Sequence, residues 1–273
     1  MSTIFLIMLF IIGACLGSFL CCQARRLRYR SRHNAKISKK ERSLGARSVC
    51  LKCHYQLKWY DNIPIVSWLF LRGKCRCCHH HIGYAEILSE LGLGISFLWL
   101  GTTFDINNLS ALTCISFVVL LVFMCLIGFL AIYDGLYGEL PTVCLILAIV
   151  VATVYLVIRE IIMVATSPFS VMFILDPLIS VFILGGLYLF LYLISRGRWV
   201  GDGDWLLGTA IALVLFYPWL SINALFVANL SACLVTLPLL KKRQSHQIHL
   251  GPFLVTGFVA IYSMSSLLIS LIS

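Results

Sequence analysis

Five cysteines and six carboxylates are the residues of this chain whose types and spacing could do chemistry. The cysteines fall in Cys50-Leu51-Lys52-Cys53 and, 21 residues further on, Cys75-Arg76-Cys77-Cys78. Two C-x2-C knuckles, Cys50/Cys53 and Cys75/Cys78, can supply four thiolates to a tetrahedral zinc ion. The spacer slightly exceeds the usual range for such a pair. Cys77, His54, His79, His80 and His81 stand close enough in sequence to compete as ligands. A closed four-Cys site leaves no position open for water, so the expected zinc is structural rather than catalytic.

The carboxylates are Glu86, Glu90, Asp134, Glu139, Asp202 and Asp204, all near the ends of apolar runs. Ionisable groups at a membrane edge are candidates for function. Asp134 ends one run in Ile132-Tyr133-Asp134, shortly before Leu140-Pro141 opens the next. Asp202 and Asp204 sit in Gly201-Asp202-Gly203-Asp204 at the start of another. If two such carboxyls meet, one stays protonated and the other charged. The charged group can activate a water and the neutral one can polarise a peptide carbonyl, which is the chemistry of an aspartic protease. The glycines would let backbone and substrate approach closely. The plainer reading is capping: Asp134 closes a loop, and Asp202 or Asp204 caps a helix.

These residues need elements to position them, and the composition says which. Of 273 residues, 60% are hydrophobic and 12% charged, with a mean hydropathy of +0.97. A soluble domain carries about a quarter charged residues, so a water-soluble globule is excluded. Apolar runs near 3–22, 84–104, 110–132, 140–158, 174–195, 204–217, 219–240 and 250–272 read as membrane helices of about 20 residues. Fifteen of the 21 Lys and Arg lie between Arg25 and Arg76. With that segment in the cytoplasm, alternation leaves only Arg159 outside, as the positive-inside rule requires. Both termini are then outside. No positive charge precedes the first apolar run, and Arg25 and Arg26 follow it. That is the reverse of a secretory signal and predicts an uncleaved first helix.

The net charge of +10 is thereby a topology signal, with contacts to membrane lipid. Nucleic acid is not an expected partner, because stacking aromatics are scarce among the basic residues from Arg25 to Arg47. The cytoplasm is reducing, which favours metal over disulfides for the loop cysteines. The other seven cysteines lie in or beside apolar runs, where a thiol is a packing residue. The expected fold is an all-α polytopic membrane protein. It has about eight transmembrane helices and a small zinc-stapled cytoplasmic domain between the first and second. Its divisions are 1–22 as the first helix, 23–83 as the four-Cys domain and 84–273 as the transmembrane core.

The combination of these features resembles the type IV prepilin peptidases. Gly201-Asp202-Gly203-Asp204, the upstream Asp134 with Leu140-Pro141, and the four-Cys loop carry the likeness. So do Gly17-Ser18-Phe19-Leu20, Trp59-Tyr60-Asp61-Asn62-Ile63-Pro64, Leu71-Arg72-Gly73-Lys74-Cys75, Glu90 and Leu250-Gly251-Pro252-Phe253. The resemblance implies a GxGD-type intramembrane aspartic peptidase of the bacterial inner membrane. Such enzymes cut the basic leader from type IV prepilins or pseudopilins on the cytoplasmic side. Many also methylate the new N-terminal residue with S-adenosylmethionine. The resemblance further implies that Asp134 and Asp204 are catalytic and that Cys50, Cys53, Cys75 and Cys78 hold zinc. Asp202 occupies the variable position of the motif. Cys21 and Cys22 stand where Asn-Val is usual, Thr142 replaces an acidic or amide residue, and the Arg-Tyr-Pro ahead of the second span is missing. Two alternatives remain: a preflagellin-type peptidase, against which the four-Cys loop counts, and a non-enzymatic assembly or transport protein. A transporter would show broken helices or repeated halves around a midplane site, whereas these carboxylates sit at one edge.

Overall fold

A computed structural model of the chain describes residues 3–32, 50, 52–53, 55–104, 110–166, 171–240 and 249–270. The helices are α1 (Thr3–Arg32), α2 (Val66–Phe70), α3 (Ala85–Thr103), α4 (Ala111–Tyr137), α5 (Thr142–Thr166), α6 (Met172–Ser195), α7 (Asp204–Leu215), α8 (Pro218–Leu240) and α9 (Gly251–Ser270). Among the described residues there is no named strand, and Lys74 and His81 form an isolated antiparallel bridge. The expected all-α polytopic architecture is therefore present. Helices α1, α4, α5, α6 and α8 are long and apolar enough to cross a membrane. Helix α3 carries Glu86 and Glu90. Helix α7 has 12 residues, about 18 Å at the helical rise, so it is too short to cross alone.

Three helix ends lie well past the apolar runs. Helix α5 continues eight residues beyond 158, to Thr166. Helix α1 continues ten residues past the apolar run, to Arg32, because the Gln, Ala, Arg and Leu residues that follow are good helix formers. Helix α4 runs on to Tyr137 and stops at Gly138, which takes a left-handed conformation (φ 68°) and donates its N–H to the Asp134 carbonyl at 2.7 Å. This is the αL type of helix stop. Asp134 thus lies inside the last turn of α4, not beyond its end.

The chain divides into two compact units, Ser2–Leu98 and Trp99–Ser273. In the first, α1 and the start of α3 pack antiparallel through glycines. A Cβ on Gly13 would stand 2.6 Å from the Leu93 carbonyl oxygen, and one on Gly17 would meet the Ser89 carbonyl. Close approach through small residues is how helices associate without a hydrophobic drive in lipid. At the basic end of α1, Arg25 pairs with Glu86.

In the second unit α7 is the central element. Leu207, Gly208, Ala210, Ile211, Ala212, Val214 and Leu215 are all buried. On one side it meets α6, whose π-helical turn Phe182–Gly186 sets Gly185 against Thr209 and Leu184 against Gly208. Helices α8 and α9 close together at Gly257, which packs on the Ala224 carbonyl and Ala228. The Tyr155 and Tyr262 hydroxyls join α5 to α9 at 2.8 Å. After α7 the chain turns at Phe216 (φ 66°), whose carbonyl accepts from the Ser180 hydroxyl at 2.7 Å. The Arg159 guanidinium covers the Phe216 ring at 4.5 Å.

The glycine contacts give a direct test of the α1–α3 packing. Gly17→Ala places a methyl against rigid backbone, an overpacking cost of about 1–3 kcal/mol. At Gly92, by contrast, a Cβ meets nothing within 4 Å. Gly92→Ala should gain roughly 1 kcal/mol from helix propensity. Thermal melts in one detergent should move down for the first variant and not for the second.

Candidate functional site

Two sites emerge, one in each unit. In the second unit the last turn of α4 carries Asp134 and the first turn of α7 carries Asp204, both only 5% exposed. They are close enough for the charge on Asp134 to act on Asp204. Each carboxylate is held by a glycine amide. The Gly201 N–H donates to Asp204 Oδ2 at 2.8 Å, and the Gly251 N–H donates to Asp134 Oδ2 at 2.9 Å. Gly251 opens α9 and has no room for a side chain, since its Cβ would stand 2.8 Å from Asp134 Oδ2. His249 Nδ1 lies 3.9 Å from Asp134 Oδ1.

Gly203 brings the two aspartate loops together. Its Cβ would stand 2.6 Å from the Leu140 Cβ and 3.0 Å from Leu145 Cδ1. The start of α7 therefore rests on the turn that leads from α4 into α5. Two carboxyls that shared one proton could offer a water both an acceptor and a donor, the combination that general acid–base hydrolysis requires. Asp202 is exposed, two residues from Asp204, and Glu139 is exposed on the α4–α5 turn. Neither is buried with the aspartate pair. Glu86 and Glu90 are used in the first unit, on Arg25 and on the Ile65 N–H. The sequence reading missed the Gly201 and Gly251 amides and His249 as partners of the pair. Only the Leu250-Gly251-Pro252-Phe253 stretch pointed toward them.

In the first unit the sulfurs of Cys50, Cys53, Cys75 and Cys78 lie within 4.8 Å of one another. Cys50 and Cys78 are 3.8 Å apart, and Cys53 and Cys75 are 3.9 Å apart. A tetrahedron with metal–sulfur bonds of about 2.3 Å has edges of about 3.8 Å, so the four thiols fit a zinc ion. They are free thiols, far from the disulfide distance. Cys77, His79, His80 and His81 are exposed and stay out of the cluster, while His54 lies outside the described residues.

Short backbone bonds shape the knuckles. Cys50 donates to the Tyr55 carbonyl and Cys75 to the His80 carbonyl, both at 2.9 Å, and the Ile82 N–H donates to Gly73 at 2.7 Å. The Cys53 backbone N–H, followed by that of Lys52, pulls the Cys50 thiol down to about 6. The Tyr55 N–H also pulls Cys53 down, but desolvation and the adjacent thiols outweigh it and push Cys53 up to about 12. Four thiols this close do not all ionise unaided, and a divalent cation is what stabilises four thiolates together. Beside the cluster, buried Asp61 accepts from Arg76 Nε at 2.9 Å and from the Lys58 N–H at 3.1 Å.

The geometry defines a class: a multi-pass membrane protein with a buried aspartate pair and a four-thiol site able to hold a metal. Comparison with known proteins narrows it. Residues 11–104 match the family described as the bacterial peptidase A24 N-terminal domain. The chain is 34% identical over 125 residues to a prepilin leader peptidase/N-methyltransferase of Myxococcus xanthus, covering 44% of this chain and 34% of that one. It is 40% identical over 76 residues to the protein of that name in Dickeya chrysanthemi, 27% of each chain. A type 4 prepilin-like proteins leader peptide-processing enzyme of Escherichia coli is 42% identical over 52 residues, 19% of each chain. The chain thus spans about a third or less of the length of these relatives. No solved structure matches. These similarities agree with the resemblance that the sequence motifs carry.

The metal site makes a checkable statement. Metal analysis of the purified chain should give about one zinc per chain. Cys50→Ser combined with Cys53→Ser should abolish it, whereas Cys77→Ser should leave the zinc content unchanged.

Proposed function

We propose that this chain is an aspartic endopeptidase of the bacterial inner membrane that removes the basic leader peptide from type IV prepilins or pseudopilins. The observation that carries the proposal is the buried pair Asp134 and Asp204, each fixed by a glycine amide. In this reading the two carboxyls hold one proton between them. The ionised one takes a proton from water, and the protonated one donates to the scissile carbonyl oxygen. Water adds to the carbonyl carbon, and the tetrahedral species collapses as a proton passes to the leaving amine. The Gly201 and Gly251 amides keep both carboxyls aimed while this happens.

The proposed topology follows the charge rule: basic segment, metal domain and aspartate pair in the cytoplasm, both termini outside. The proposed division is 1–22 for the first helix, 23–83 for the zinc domain and 84–273 for the peptidase core. The zinc would be structural and held by Cys50, Cys53, Cys75 and Cys78. A second activity, N-methylation of the new N-terminus with S-adenosylmethionine as methyl donor, rests on the family resemblance and on the relatives' names. Incubating purified protein with a prepilin, with and without S-adenosylmethionine, and reading product mass tests cleavage and methylation separately.

Within this reading Asp134→Asn and Asp204→Asn each lower single-turnover cleavage by roughly 10⁴-fold or more, because the pair works as a unit. Asp202→Asn keeps substantial activity. An active Asp204→Asn or a dead Asp202→Asn, in correctly inserted protein, overturns the assignment. Gly251→Ala should slow cleavage by about 10²-fold or more through a displaced Asp134. Thermal melting of that variant separates misplacement from unfolding.

A further inference from the structure

The short helix α2 lies outside both sites, yet it is tied to the membrane-boundary part of α3 by two contacts. The Ile65 N–H, at the start of α2, donates to Glu90 Oε2 at 2.7 Å. The Trp68 ring lies 5.9 Å from the ring of Tyr84, which directly precedes α3. The charged boundary of this unit is marked by the Arg25–Glu86 pair. Glu90 is four residues further along α3, about 6 Å deeper at the helical rise. On α1 the matching residue is Gly17, packed against Ser89 and Glu90 and two turns inside Arg25. Glu side chains on a helix lean toward its N-terminus, which still leaves the Ile65 amide level with the first two turns of α3.

The exposed side chains of this segment are apolar. Phe70 is 85% exposed, Leu69 58% and Val66 44%, and Ile63 is exposed ahead of them. Val66 and Phe70 share one face of α2 at i and i+4. Arg72 and Lys74, both exposed, follow at once. A run of apolar side chains with an aromatic, flanked by cations and held at the level of a membrane edge, is the pattern of an interfacial segment. The turn can leave water because its free amide is met by Glu90. The left-handed Ile65 (φ 65°) is the strained residue that this bond holds in place.

We infer that the Ile63–Phe70 segment dips into the lipid bilayer that holds α1 and α3, with Val66, Leu69 and Phe70 among the acyl chains and Arg72 and Lys74 at the headgroups. The occupant of this face is phospholipid of the chain's own membrane. The unit is thereby seated on the membrane by a third point besides its two helices, and the knuckle at Cys75 lies just beyond the inserted segment. The inference is independent of the peptidase reading, since it needs neither sidedness nor activity.

The test uses the full chain in phosphatidylglycerol nanodiscs with 4-fluorophenylalanine at position 70 alone, a change that preserves packing. A second sample carries the label at Phe123, which is fully buried, as the reference for a covered ring. Fluorine line widths are read with a doxyl-labelled lipid and with a water-soluble gadolinium chelate. The expected result at position 70 is broadening by the labelled lipid several-fold greater than that by the chelate. Broadening by the chelate alone overturns the inference and leaves the face in water. Protection from both agents, as at Phe123, also overturns it and assigns the face to protein. Glu90→Ala removes the acceptor of the Ile65 N–H and should reverse the ratio at position 70.

Discussion

A carboxylate taken out of water must be met by donors, and at one end of this bundle the available donors are backbone amides. That constraint organises the second unit. A backbone amide reaches a buried aspartate only if its residue leaves the approach open, so Gly201 and Gly251 stand where Asp204 and Asp134 accept. Gly251 is the first residue of α9 and Asp204 lies in the first turn of α7. Asp204 therefore sits at the positive end of the α7 dipole, and Asp134, on the last turn of α4, faces the positive end of α9, where a negative charge is favoured. Helix lengths, the turn at Gly138 and the closeness of Gly203 to Leu140 follow from bringing those ends together.

The first unit solves a different problem. Between α1 and α3 runs a segment with few aliphatic residues, too poor in apolar surface to fold by burial. Its geometry comes from local bonds around the cysteines and from the Asp61–Arg76 pair. A metal held by all four thiols would join its two knuckles. The aspartate unit is held by apolar packing around α7.

Much of this architecture was legible in the sequence, since hydropathy and charge report directly on membrane position. The apolar runs fall on α1 and α3 through α9. Their ends shifted where helix propensity outran hydropathy, as in α1, or where a glycine stop lay beyond the last apolar residue, as at Gly138. The carboxylates and cysteines were visible as residue types. The sequence was silent on what holds them, because an amide donor looks the same at every glycine. Gly203 likewise reads as a flexible turn residue, yet its role is to let Leu140 approach. The Glu90–Ile65 bond spans 25 residues and leaves no trace in any periodic pattern.

The length of α7 has a consequence for biosynthesis. At about 18 Å it is little more than half the hydrocarbon thickness of a bilayer, and only two residues separate it from Pro218 at the head of α8. A segment this short does not partition into lipid as an independent unit. It has to be carried in with α8 as a helical hairpin and then be enclosed by α5, α6 and α9. The helix that brings Asp204 into place is accordingly assembled late, after the neighbours that bury it have been inserted.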